Sequence, residues 1–107
     1  MEKKKISPPS RYQKLEDVVG CKWSVSVLGA IADGVCRPGA LERHIAGIST
    51  KVLSERLRKL GDYGLIDKQV FAEVPPRTEY ALTAAGRQLV AIIRQIKDLD
   101  DELGRGG

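Results

Sequence analysis

The sequence is poor in the residues that build metal centres and disulfide-stabilised folds. Its 107 residues include two cysteines, Cys21 and Cys36, and a single histidine, His44. The two thiols are too few, and too far from the histidine or a second cysteine pair, to complete a zinc site. A structural disulfide is not expected in a reducing compartment, so buried core thiols are favoured and no metal or other cofactor is predicted.

Long apolar segments are also absent. No hydrophobic stretch approaches the roughly 18 residues that a transmembrane helix needs. The charged beginning, MEKKKISPPS, is not followed by the apolar core of a signal peptide, and residues 1–10 are therefore predicted to form a flexible basic arm. Hydrophobic residues at 42% and charged residues at 30% are typical of one globular domain. We expect a cytoplasmic protein without membrane contact.

Positive charge is concentrated in two parts of the chain. In total, 18 Lys and Arg residues oppose 14 Asp and Glu residues, which gives a net charge of +4. Residues 1–22 carry six positive and three negative side chains, and residues 37–77 carry eight and five. This modest excess is weaker than that of a histone-like protein and is compatible with a small, specific reader of nucleic acid.

The most completely specified segment is Ile48–Leu65, with the sequence ISTKVLSERLRKLGDYGL. Ser49 is a favourable N-cap, because its hydroxyl can accept a hydrogen bond from the first turn of a helix. Gly64 suits the left-handed position that follows a helix, and the leucine behind it can contact the last turn in a Schellman ending. These signals predict a helix from about residue 50 to residue 63.

This predicted helix has two different faces. Its apolar face is formed by Leu53, Leu57 and Leu60 at helical spacing. Its opposite face carries Lys51, Ser54, Glu55 and Arg58. Taken alone, the pattern is equally typical of a solvated helix on a small domain. The neighbouring elements must therefore decide between a solvated surface and a binding surface.

Three helices are predicted before this segment, over residues 11–19, over residues 22–32 and from Pro38 onward. The inner face of the third is predicted to contain Leu41, His44 and Ile45. A short helix, a glycine turn and a capped helix in immediate succession form a helix-turn-helix. In that motif the first helix braces the second, and the second enters the major groove of DNA.

After Leu65 the hydrophobic period changes from helical to two, which predicts a strand to about Val74 and a returning strand over residues 78–82. Pro75-Pro76-Arg77 forms the tip of this hairpin. Arg77 is placed to reach a phosphate or a narrow minor groove, with a solvated turn charge as the alternative. A helix-turn-helix followed by a hairpin predicts a winged helix-turn-helix, mainly α with a small β-hairpin (α+β).

A last helix is predicted to begin after its N-cap, Thr83, and to carry more aliphatic surface than a small core can cover. We therefore predict a homodimer that packs through the first and last helices. The predicted interface consists of Tyr12, Leu15, Leu89, Ile92, Ile93, Ile96, Leu99 and Leu103. Acidic residues near the end of the helix oppose its dipole, so the folded domain is predicted to span residues 11–103 and a glycine-rich tail residues 104–107.

With these elements in place, the sequence resembles the HxlR-type (DUF24) winged helix-turn-helix transcriptional regulators, which are related to the MarR group. The resemblance covers about residues 10–100. The matching residues are Gly20, Lys22, Trp23 and Leu28; Arg37 and Leu41; Gly47-Ile48-Ser49 with Lys51, Leu53, Arg56 and Leu57; Gly64-Leu65-Ile66; and Pro75-Pro76-Arg77 with Glu79 to Thr83 and Gly86. The resemblance implies a dimeric DNA-binding regulator.

Three features depart from the family pattern. Some members of the family sense oxidants through a cysteine ahead of the first helix, where this sequence has Ser10 and Arg11. Cys21 instead stands near a helix start beside a lysine, a setting that lowers a thiol pKa, so it is the candidate redox thiol, with an inert thiol as the alternative. Pro38 replaces a common aromatic residue, and no tryptophan stands near the end of the last helix, so the dimer packing is expected to differ in detail.

The leading hypothesis is a dimeric, nucleoid-associated transcriptional regulator that reads a pseudo-palindromic operator in double-stranded DNA. The predicted DNA contacts are Ser49, Thr50, Lys51, Ser54, Glu55, Arg58 and Arg77. The alternative is a winged-helix module that recognises a protein partner and binds DNA weakly and without specificity. An enzyme is not predicted, because no nucleophile, base and orienting group can be brought together from the sequence. The sequence indicates no particular inducer.

Overall fold

The computed structural model describes residues 8–106, so most of the predicted basic arm, residues 1–7, lies outside the described residues. The described residues form five helices and one antiparallel hairpin. In chain order the elements are α1 (Arg11–Val19), α2 (Lys22–Ala32), α3 (Pro38–His44), α4 (Thr50–Asp62), β1 (Ile66–Phe71), β2 (Arg77–Leu82) and α5 (Ala84–Arg105). The predicted fold class is confirmed.

Both predicted ends of α4 are confirmed by hydrogen bonds. At its start, the Ser49 hydroxyl accepts from the backbone N–H of Val52 at 3.1 Å. At its end, the Leu65 N–H donates to the Leu60 carbonyl at 3.0 Å, and the Gly64 N–H donates to Gly61 at 3.0 Å. Gly64 has a φ of 75°, the left-handed conformation that a Schellman ending requires.

The hydrophobic core surrounds α2, which packs against every other helix and against β2. Val27 and Leu28 on α2 are fully buried, as are Leu41 on α3 and Leu60 on α4. The predicted inner face of α3 is wrong in one position. His44 is exposed because α3 ends at that residue, whereas Leu41 and Ile45 are buried as predicted.

The hairpin is shorter and less covered than the sequence predicts. β1 ends at Phe71 and pairs with β2 in a register that runs from Ile66 opposite Leu82 to Phe71 opposite Arg77. Ile66 is the one buried residue of β1, whereas Val70 and Val74 are exposed. The outer part of a two-stranded hairpin has no second layer to cover it, so alternation there does not produce burial.

The start of α5 is held against the end of α4. The Thr83 hydroxyl donates to the Gly64 carbonyl at 2.6 Å and accepts from the Gly86 N–H at 3.0 Å. A Cβ atom on Gly86 would lie 2.0 Å from the Leu65 carbonyl oxygen, so the two backbones are in close contact. α5 continues through Gly104 to Arg105, which corrects the predicted start of the tail at residue 104. No helix within residues 8–106 is both long and apolar enough to cross a membrane.

Candidate nucleic-acid interface

The helix-turn-helix is formed by α3 and α4, joined by a turn in which Gly47 has a φ of 83°. The two helices are also linked by side chains, because the Thr50 hydroxyl donates a hydrogen bond to the Glu42 carboxylate. This bond places a carboxylate beside the first residue of α4. It also uses the hydroxyl proton of Thr50, which is one of the predicted DNA contacts.

The two faces of α4 lie as the sequence predicts. Its three leucines are buried in the core. Lys51, Ser54, Glu55 and Arg58 are exposed together on the outer face. Arg58 reaches into solvent, with its Nη1 3.7 Å from Asp62 one turn later. The outer face therefore has two cations, one hydroxyl and two carboxylates within three turns of helix.

The lateral side of α4 that faces α1 carries two further cations. The Lys59 ammonium lies 2.6 Å from the Asp17 carboxylate of α1. The hydrogen bond that the ammonium donates to that carboxylate is the main cause that raises the pKa of Lys59 above its ordinary value. Arg56 is partly buried, with an Nε that has no hydrogen-bond partner among the described residues. Lys59 thus joins α4 to α1 and does not belong to the outer face.

An open cleft of about 610 Å³ separates α4 from the hairpin. Ser54 and Arg58 line its α4 wall, and Lys68 and Thr78 line its hairpin wall. Lys68 is not among the predicted DNA contacts, although it is recognisable in the sequence as the lysine that interrupts the apolar alternation of β1. The cleft brings this lysine to the same side of the molecule as the outer face of α4.

Arg77 begins β2 and is enclosed by its own hairpin. Its guanidinium carbon lies 4.2 Å from the centre of the Phe71 ring. Its Nη1 is 3.0 Å from Glu73, and its Nε is 3.1 Å from Glu79. Only 31% of the side chain is exposed. A phosphate contact by Arg77 stays a prediction, and it would compete with these three contacts.

Comparison with known proteins places the chain in a family. The sequence model of the HxlR-like helix-turn-helix proteins matches residues 18–105, which is most of the chain. The chain belongs to the HxlR-like helix-turn-helix family. This membership confirms the resemblance that the motifs indicated.

Relatives of this HxlR-like chain are named as regulators. It is 42% identical over 81 residues to the uncharacterized HTH-type transcriptional regulator sll1512 of Synechocystis sp., a match that covers 76% of the chain and 60% of that protein. It is 35% identical over 100 residues to the uncharacterized HTH-type transcriptional regulator YybR of Bacillus subtilis, covering 91% and 80%. The chain therefore spans less than two thirds of the Synechocystis relative.

Solved structures share the architecture. A transcriptional regulator of the MarR family from Enterococcus faecalis superposes with a TM-score of 0.80 at 30% identity, covering 86% of this chain and 84% of that one. The reduced form of the transcriptional regulator YodB from Bacillus subtilis superposes with a TM-score of 0.80 at 26% identity, covering 94% and 99%. The winged helix-turn-helix is thus a property that this HxlR-like protein shares with them.

Cys21 occupies the N-cap position of α2 in the HxlR-like fold. Its burial opposes ionisation, but the nearby hydroxyl and N–H of Ser24, the charge of Arg56 and the N–H of Trp23 favour the thiolate and outweigh that cost. The pKa of the Cys21 thiol is consequently lowered. The direction agrees with the expected effect of a helix start, whereas the redox role of this thiol stays a prediction.

The predicted dimer surface separates into a buried part and an exposed part. Leu89 and Ile93 belong to the core of the protomer itself. The exposed part consists of Tyr12, Leu15, Ile92, Ile96, Leu99 and Leu103, each of them 41–72% exposed. Three of them, Tyr12, Leu15 and Ile92, border a groove of about 460 Å³ between α1 and α5, which Val19 and Leu89 also line. We call this exposed set and its groove the α1–α5 surface.

Proposed function

We propose that this protein binds double-stranded DNA as a symmetric dimer and regulates transcription. The observation that carries the proposal is the outer face of α4. A helix with both ends fixed presents Lys51, Ser54 and Arg58 to solvent beside an open cleft and a hairpin. A recognition helix needs this combination, because base contacts require a rigid backbone and exposed polar side chains.

Each exposed side chain of α4 has a role that matches its chemistry. Arg58 and Lys51 donate hydrogen bonds to guanine edges or to phosphates. The Ser54 hydroxyl donates to or accepts from the edge of a base. Glu55 accepts from cytosine and repels phosphate, which favours some sequences over others. Ser49 lies at the start of α4, where the hydroxyl and the helix N–H groups face the DNA backbone. The hairpin acts as the wing and rests on the flank of the site.

The α1–α5 surface supports the dimeric part of the proposal. Monomeric soluble proteins rarely expose an apolar surface of this kind, and a second copy of the same surface would cover it. A two-fold axis between two α4 helices requires a pseudo-palindromic operator. Its half-sites are expected about 10 bp apart, or a multiple of that distance, because each helix enters the major groove on the same side of the duplex.

The test is a selection of bound duplexes from random sequence, followed by titration of the recovered duplex. Arg58→Ala should weaken binding to this duplex by about 1–3 kcal/mol and relax the preference at one base pair of each half-site. Arg94→Ala is the matched control, because Arg94 is an exposed, ion-paired arginine on α5. Binding that ignores added salt and that Arg58→Ala leaves unchanged would refute the proposal.

The mixed charge of the interface favours a second candidate, a module that recognises a protein partner. Glu42 and Asp62 both line the cleft beside α4, and each contacts a residue assigned to DNA. A protein partner with charges of both signs would fit such a surface. The two candidates differ in a pull-down after nuclease treatment, since a protein partner remains bound and a complex bridged by DNA is lost.

A further inference from the structure

The wing contains a cluster of three charged residues and one aromatic ring. Arg77 lies at its centre, between Glu73 and Glu79 and over the ring of Phe71. Two carboxylates at 3.0 and 3.1 Å neutralise its charge, and the ring covers one side of its plane. To reach DNA, Arg77 would have to give up all three contacts, so its geometry is that of a residue that shapes the wing.

Arg37 is a second arginine and lies at the edge of this cluster. It differs from Arg77 in its ion pairing and in its exposure. It is the N-cap residue of α3, and its Nε lies 3.5 Å from the Glu79 carboxylate that Arg77 also contacts. Its side chain is 57% exposed. The ion pair is made through Nε, and the terminal nitrogens, Nη1 and Nη2, donate no hydrogen bond within residues 8–106. These nitrogens are the ones that bind an anion in a bidentate manner.

The position of Arg37 also suits a contact with the DNA backbone. It lines an open cleft of about 470 Å³ between the start of α3 and the tip of the wing. Pro38 and Thr78 line both this cleft and the cleft between α4 and the hairpin, so the two are neighbours. The first helix of a helix-turn-helix crosses the DNA backbone when the second lies in the major groove. That orientation brings the start of α3 and the wing to the same stretch of phosphates.

We propose that Arg37 is the residue that binds a DNA phosphate at the flank of the site, and that Arg77 is a positioning residue that shapes the wing. The inference rests on the proposed DNA-binding function and assigns a contact within it. Glu79 forms ion pairs with both arginines and draws Arg37 toward the wing, which reduces the side-chain entropy that a phosphate contact costs. Because a phosphate carries no sequence information, this contact affects affinity and not specificity.

The test measures how binding depends on salt concentration, since each phosphate contact contributes about 0.9 to the slope of log K against log salt. The probes are the duplex recovered by selection and an unrelated duplex of equal length. We expect Arg37→Ala to weaken both complexes about equally and to lower the slope by roughly 1 for each half-site. Arg37→Gln, which keeps a polar side chain of similar length, should lower the slope by the same amount.

Two controls separate phosphate binding from a structural role. Arg94→Ala removes a similarly exposed arginine whose Nη2 lies 3.3 Å from Asp33, and it should leave the slope unchanged. Arg77→Ala should lower the melting temperature while the slope below that temperature stays that of the unmodified protein. Thermal unfolding of Arg37→Gln gives the melting temperature of this variant, and its slope of log K against log salt is measured below that temperature.

The outcomes are distinguishable. If the unmodified protein binds no duplex with a salt-dependent affinity, the proposed function fails and this inference fails with it. If the unmodified protein binds as proposed but Arg37→Ala and Arg37→Gln behave like Arg94→Ala, only the inference is overturned. If the slope falls in Arg77→Ala and not in the Arg37 variants, Arg77 is the residue that binds the phosphate. That result would also overturn the inference.

Discussion

α4 and α5 are both amphipathic helices with a side-chain N-cap, yet the protein uses their apolar faces in opposite ways. The leucines of α4 are at most 5% exposed, so its apolar face is completely covered within the protomer. On α5 the cover ends after Ile93, and the later residues Ile96, Leu99 and Leu103 are 47–68% exposed. Only the polar face of α4 is free, whereas beyond Ile93 the apolar face of α5 is free as well as its polar face. The same sequence pattern therefore supports two kinds of contact, which depend on how far the core extends along each helix.

The largest expected effect comes from a comparison of one leucine on each helix. Leu60→Ala removes a fully buried side chain of α4 and should lower the free energy of unfolding by roughly 2–5 kcal/mol. Leu99→Ala should cost less than about 0.5 kcal/mol in the isolated protomer, because the side chain is exposed there. Urea denaturation over a range of protein concentrations measures both values. A cost for Leu99→Ala that rises with concentration would identify a covered α1–α5 surface, and equal costs at all concentrations would contradict the comparison.

The next effect tests the exposed half of α5 directly. Ile96→Asp places a charge on the α1–α5 surface twice in a symmetric dimer, and it should weaken association by about 2–3 kcal/mol, or roughly 30- to 150-fold. Gln95→Asp adds the same charge one residue earlier on the polar side of α5 and serves as the control. Sedimentation equilibrium gives the dissociation constants. Identical constants for the two variants would show that the apolar face of α5 has another use.

A smaller effect concerns how α5 is attached to α4. Gly86→Ala forces a methyl group against the Leu65 carbonyl oxygen and should destabilise the fold by about 1–3 kcal/mol. Gly104→Ala, in the same helix, has no atom within 4 Å of the new methyl group and should be neutral or stabilising by up to about 1 kcal/mol. Thermal unfolding of the two variants provides the comparison. Opposite signs are expected, and a tolerated Gly86→Ala would mean that the junction can relax.

The smallest effect compares the two N-caps. Ser49→Ala removes one hydrogen bond to the start of α4 and should cost about 1 kcal/mol. Thr83→Ala removes the corresponding bond in α5 and, in addition, the bond to the Gly64 carbonyl, so it should cost about 0.5–1.5 kcal/mol more. Chemical denaturation resolves a difference of this size. If the two costs are equal, the bond between Thr83 and Gly64 does not couple the helices.

The sequence predicted the helices and the ends of α4 well, because those features depend on residues close together in the chain. Ser49 and Gly64 act through atoms three or four residues away, and such contacts leave a local pattern. It predicted the outer part of β1 less well, since the alternation around Val70 does not reveal that no second layer is present. It also placed His44 on an inner face by its spacing alone, whereas the end of α3 removed the helical geometry on which that spacing depended.

The same distinction applies to the candidate interface. The outer face of α4 followed from helical periodicity and needed no tertiary information. The ring contact and ion pairs of Arg77 did not follow from periodicity, because Phe71, Glu73 and Glu79 approach it only after the hairpin forms. The sequence also gave no reason to combine Arg37 with the wing, since 42 residues separate it from the Glu79 carboxylate along the chain.

By itself, the sequence determined which segments are helical, where α4 begins and ends, which of its faces is polar, and the family to which the chain belongs. Only the tertiary structure decided which charges are already paired, which cations remain exposed beside the cleft, and where along α5 the core stops. The physical reason is the separation along the chain of the residues that interact. Capping and periodicity are local interactions, whereas ion pairing and burial depend on residues that folding brings together from distant parts of the chain.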